Sequence, residues 1–84
     1  MRKLTDQDLT AIIGTVHHGF TIQKARIKGG GYSDSDHYGI VLGQNEKGNC
    51  VTWQFHLEDE RFEPYWGHYI DSPETALKDY ESRS

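Results

Sequence analysis

Hydrophobic and polar residues alternate most regularly from Val51 to Leu57. Val51, Trp53, Phe55 and Leu57 fall on one parity, and Thr52, Gln54 and His56 on the other. That period of two predicts a strand with one buried face. Tyr38 to Gly43 (YGIVLG) predicts a second strand, with Gln44 to Asn49 as the turn and Gly48 as its positive-φ residue. After a turn over Glu58 to Arg61, Tyr65 to Ile70 predicts a returning strand. Phe20 to Lys28 begins with Phe20 and Ile22 in alternation, but Ala25 and Ile27 fall on the other parity. It is either a strand with a bulge or, from Thr21, a short helix, and the strand is preferred.

Leu9, Ile12, Ile13 and Val16 recur at the spacing of a helical stripe. Thr5 is the expected N-cap, Asp6 and Asp8 suit the first turn, and Gly19 is the expected stop after His17 or His18. Gly14 then lies inside the helix at a cost of about 1 kcal/mol. A last helix starts at Ser72 as N-cap with Pro73 and Glu74 behind it, and Ala76, Leu77 and Tyr80 form its stripe. Asp79 to Ser84 is expected to fray. Gly29 to Gly31 and Ser33 to Asp36 predict a loop.

The order α-β-β-β-β-α predicts an α+β fold over residues 1–84 as a single domain. It is an antiparallel sheet of three to four strands with two helices packed on one face. The covered face would take Tyr38, Ile40, Leu42, Val51, Trp53 and Phe55, with Trp66, His68 and Ile70 from the last strand. The open face would carry Gly39, Val41, Gly43, Thr52, Gln54, His56, Tyr65, Gly67 and Tyr69. Glycine in a strand marks a bulge or a close backbone approach, and tyrosine favours interfaces. Tyr65, Tyr69, His56, Gln54, Thr52 and Gly67 are therefore the candidate partner-contact residues. The alternative is that the tyrosine rings shield the glycines of their own sheet.

With 84 residues, the chain can bury roughly 60–65% of its unfolded surface. At 12% aromatic residues, large rings must supply much of its one small core. Thirteen acidic and nine basic residues give a net charge of −4, which disfavours nucleic acid as partner. Cys50 is the single cysteine, so neither an internal disulfide nor a C-x-x-C site can form. No apolar run is long enough to span a membrane and no signal-peptide pattern follows Met1, so a cytoplasmic location is expected.

Five histidines raise the question of a metal, but no pair has the H-x-x-x-H spacing, and His56 and His68 are expected on opposite faces. Asp34 and Asp36 lack the glycine and glutamate of a calcium loop. Gly29 to Gly31 precede no helix start of P-loop type. Cys50 and the serines lack an activating context. No catalytic residue, metal or cofactor is predicted.

Three stretches taken together, Tyr38-Gly39-Ile40-Val41-Leu42-Gly43, Val51-Thr52-Trp53 and Trp66-Gly67-His68-Tyr69, precede an acidic helix around Ala76 and Asp79. From about Tyr32 to Arg83 the chain resembles a family of small proteins carried by phages, plasmids and conjugative elements of Gram-positive bacteria. The resemblance implies a bacterial, mobile-element setting and no activity. Topologically, the α-β-β-β-α part is similar to double-stranded-RNA-binding domains, but those grip phosphate with a basic second helix and this one is acidic.

The expected function is a non-enzymatic protein-interaction or accessory module of a mobile element, with another protein as partner. The alternative is a single-stranded nucleic-acid-binding domain stacking bases on Tyr65 and Tyr69, with Lys24, Arg26 and Lys28 meeting phosphate. A small metal-dependent enzyme using histidines with Asp34 or Asp36 is a third, weaker possibility.

Overall fold

A computed structural model describes residues 3–28 and 37–83. The expected loop from Gly29 to Asp36, with Asp34 and Asp36, lies outside the described residues. The elements are α1 (Asp6–Ile12), β1 (Val16–His17), β2 (Phe20–Ile27), β3 (Gly39–Gln44), β4 (Cys50–Glu58), β5 (Arg61–Ile70) and α2 (Pro73–Ser82). The five strands form one antiparallel sheet in chain order, and the fold is α+β as expected.

The first helix is shorter than its apolar spacing predicts. Thr5 and Asp8 form a reciprocal capping box, but Ile13 is already extended and Gly14 has φ +91°. The Gly14 N–H donates to the Ile22 carbonyl at 2.7 Å, which draws the chain onto β2. Val16 and His17 then pair with Thr21 and Phe20 across a two-residue turn. Its residues, His18 (φ 54°) and Gly19 (φ 85°), are both left-handed, as a type I′ hairpin requires. Beyond it, β2 is a strand with a register shift between Ile22 and Lys24, which accounts for the change of parity before Ala25.

Both faces of β3 and β4 are buried. Gly43 pairs with Val51 and Val41 with Trp53, so Val41, Val51, Trp53 and Phe55 share one face, and Ile40, Leu42, Cys50, Thr52 and Gln54 the other. The first face packs against α1 in a cluster of Leu4, Ile12, Ile22, Val41, Val51, Trp53, Phe55 and Leu57. The second packs against α2 in a cluster of Ile40, Leu42, Cys50, Ala76 and Tyr80. The helices therefore sit on opposite faces, not on one. The expected grouping of Ile40 and Leu42 with Trp53 fails because Gln44 pairs with Cys50 and leaves a five-residue loop, 45–49. Within that loop the Asn45 side chain accepts the N–H groups of Lys47 and Asn49.

The last strand carries a bulge. Thr52 pairs with His68 and Gln54 with Tyr65, so Trp66 and Gly67 together oppose Trp53. A Cβ on Gly67 would lie 2.8 Å from the Trp53 indole nitrogen, so the glycine lets the backbone pass over the ring. The extra residue reverses the pleat. Trp53 is 3% exposed while Trp66 is 68% exposed, so the expectation that both indoles lie beneath the helices is corrected.

Gly39 shows how tightly the first face is filled: a Cβ there would stand 2.3 Å from the Phe55 ring and 2.8 Å from the Arg26 carbonyl oxygen. Gly39→Ala is expected to destabilise the protein by about 1–3 kcal/mol, as overpacking does, with the loss read from urea unfolding.

Candidate protein-contact site on the second sheet face

The residues singled out from sequence divide between the two faces. Thr52, Gln54, His56 and Tyr65 share the second face; Tyr69 pairs with Val51 and belongs to the first, and Gly67 lies in the bulge against Trp53. Tyr69 is 68% exposed, and its ring lies 6.0 Å from Phe20 and 6.5 Å from Trp53, centroid to centroid.

Helix α2 covers the second face at Ile40, Leu42 and Cys50. Ser72 caps the helix by accepting the Thr75 N–H. The helix continues through Asp79 to Ser82, where the sequence predicts fraying, and polar groups from the sheet hold that end. The Thr52 hydroxyl donates to the Asp79 carboxylate, and His68 Nδ1 lies 2.9 Å from the same carboxylate. The Arg83 guanidinium donates to the Thr52 carbonyl at 2.9 Å and to the Trp66 carbonyl at 2.6 Å. Arg26 donates to the carbonyls of Tyr80 and Arg83 and lies over the Tyr80 ring at 5.4 Å. Thr52 is consequently inaccessible, a post for α2 rather than a contact residue.

Beyond the end of α2 the face is aromatic. Gln54 accepts from the Lys28 ammonium at 2.8 Å and donates to the Tyr65 hydroxyl at 3.0 Å. The Tyr65 ring lies 5.4 Å from His56 and 6.5 Å from Tyr38, and Trp66 stands edge-on against it at 5.1 Å. Burial raises the Tyr65 hydroxyl pKa, with the Gln54 bond opposing and Tyr38 adding to the rise, so the phenol stays neutral. Gln54 is 5% exposed, so it orients Tyr65 from below. The surface offered to solvent is Tyr65, Trp66 and the edge of His56.

Trp66 was expected in the core, and its backbone is unusual as well. Its φ of 53° lies in the left-handed region, where a bulky L-residue is an outlier. The tryptophan–glycine step was the available signal, since glycine in a strand marks a bulge. The network of Thr52, His68, Asp79 and Arg83 had no such signal, because Asp79 is 27 residues from Thr52 and 11 from His68.

His56 and His68 share a face after all, through the reversed pleat. His17 lies 2.9 Å from the Thr15 hydroxyl and against the Phe62 ring at 4.2 Å. Among the described residues no group of three or more His, Cys, Asp or Glu side chains is placed to hold a metal ion. Cys50 is buried, and burial raises its thiol pKa, away from the reactive thiolate. Among the described residues no helix is long and apolar enough to cross a membrane. No protein-family model, curated protein or solved structure matches the chain.

Asp79 gives the site a pH dependence. Burial pushes its pKa up, but the bonds from Thr52 and His68 and the charge of Arg83 outweigh this and leave it below the ordinary value. A carboxylate so depressed contributes stability above its unfolded pKa of about 3.9, and loses it as pH falls through the folded value. Asp79→Asn is expected to cost about 1–3 kcal/mol at pH 7 and to remove that acid-side loss, measured by urea unfolding between neutral pH and pH 3.

Proposed function

We propose that the chain is a non-enzymatic protein-interaction module, acting in an accessory role for a bacterial mobile element and docking a partner protein through Tyr65, Trp66 and the neighbouring ring of His56. The observation that carries this is Trp66, an indole 68% exposed on a backbone with φ 53°. A left-handed L-residue costs roughly 1–2 kcal/mol, and such cost is borne where a side chain has a use. Tryptophan and tyrosine are also the residues most enriched among interface hot spots. Tyr65 is held by Gln54 and Arg83 holds the Trp66 carbonyl, so the rings are fixed before a partner arrives. The mobile-element setting rests on the sequence resemblance alone.

Base stacking on Tyr65 and Tyr69 together is disfavoured by their positions on opposite faces. A partner protein gripping the Trp66 edge needs no such pair.

Trp66→Gly separates use from structure. Glycine relieves the left-handed strain while the Tyr65 ring contact is lost, so stability should stay within about 1 kcal/mol of the parent. Recovery of the partner from a Gram-positive lysate, followed by mass spectrometry, should fall at least about tenfold in this variant and in Tyr65→Ala. Equal recovery by parent and variants would remove the basis for this surface.

A further inference from the structure

The two edges of the sheet are treated differently, and among the described residues one is left open. On β5 the outer edge is interrupted by Pro64, which has no N–H to offer, and by the bulge at Trp66 and Gly67. At the other edge β1 pairs only with Phe20 and Thr21, and the Ile22 N–H and carbonyl are taken by Thr15 and Gly14. Among the described residues no strand pairs with Lys24 to Ile27 on this side.

The orientation of that open backbone follows from one hydrogen bond. Lys28 donates its N–H inward to the Tyr38 carbonyl. Alternation along an antiparallel strand then turns the N–H and carbonyl groups of Ala25 and Ile27 outward. They face a groove of about 450 Å³ lined by Asp6 and Leu9 of α1 and by Ala25, Arg26, Ile27 and Lys28. Ala25 and Ile27 are only partly buried and present apolar side chains toward α1. On the other face Lys24 is exposed and Lys28, whose ammonium also donates to Gln54, follows the strand, while Arg26 is engaged by the carbonyls of Tyr80 and Arg83.

We propose that this edge binds an extended segment of another protein by strand addition, the segment having apolar and acidic residues in alternation. Its main chain would pair with Ala25 and Ile27, its apolar side chains would fill the groove beside Leu9, and its acidic ones would meet Lys24 and Lys28. The segment continues the line of β1, which ends too early to cover this half of β2. The site is separate from the Trp66 surface and does not depend on it.

The test is a titration of the isotope-labelled full chain with a capped peptide of alternating valine and glutamate, followed by amide NMR. Shifts are expected at Leu9 and from Lys24 to Lys28, with the Ala25 and Ile27 amides gaining protection from hydrogen exchange. A peptide with lysine in place of glutamate should bind more weakly. Lys24→Glu, at an exposed position, should weaken the glutamate peptide about fivefold, the factor equivalent to one exposed ion pair. Absence of shifts up to millimolar peptide, shifts confined to β5 or α2, or equal binding of the two peptides would each overturn the proposal.

Discussion

Trp53 sets the geometry of the sheet. Its indole lies on the first face within ring contact of His18, Phe20, Phe62 and Tyr69. Phe62 and Tyr69 both belong to β5, seven residues apart, so in an unbroken strand they would point to opposite faces. Both reach Trp53 only because an extra residue lies between them. The bulge at Trp66 and Gly67 supplies it, and the absent side chain of Gly67 makes room for the indole edge. Burying one tryptophan among four rings thus expels the other. Tyr65 keeps the register of the hairpin beside Gln54, and the reversal beyond it brings His68 beside Thr52, where His68 finds Asp79.

How much of this was legible depends on whether the deciding contact is local. Thr5 with Asp8 and Ser72 with Pro73 are signals within one turn, and both helix starts fall where those residues place them. Val51 to Leu57 alternates cleanly because each residue needs only its own face. The end of α1 was misjudged because Gly14 is drawn away by Ile22, eight residues on. No helical spacing carries that information, and Val16, counted in the apolar stripe, stands 62% exposed on β1.

The layering was harder to see for a related reason. Val51 to Phe55 is buried without a break, as is Gly39 to Gly43, so both central strands lie between two layers. In β3 that shows as a continuous apolar run, the usual mark of double burial. In β4 two of the positions on the second face are Thr52 and Gln54, which read as solvent-facing. They are satisfied instead by Asp79, Arg83, Lys28 and Tyr65, partners from three other parts of the chain. Buried polar groups require such partners, and the alternation of a single strand cannot reveal them.

The candidate site was legible in composition but not in arrangement. Four of its six residues do share a face, yet two of those, Thr52 and Gln54, support neighbours from beneath and do not meet solvent. Net charge is similarly uninformative about local surfaces. A total of −4 conceals a β4–β5 turn carrying Glu58, Asp59 and Glu60 and a β2 strand carrying Lys24 and Arg26, with Lys28 just beyond it. These lie at opposite ends of the strand order, so the sheet presents unlike charge at its two sides. Backbone availability and local charge thus differ together between the two edges, a distinction that the whole-molecule charge conceals.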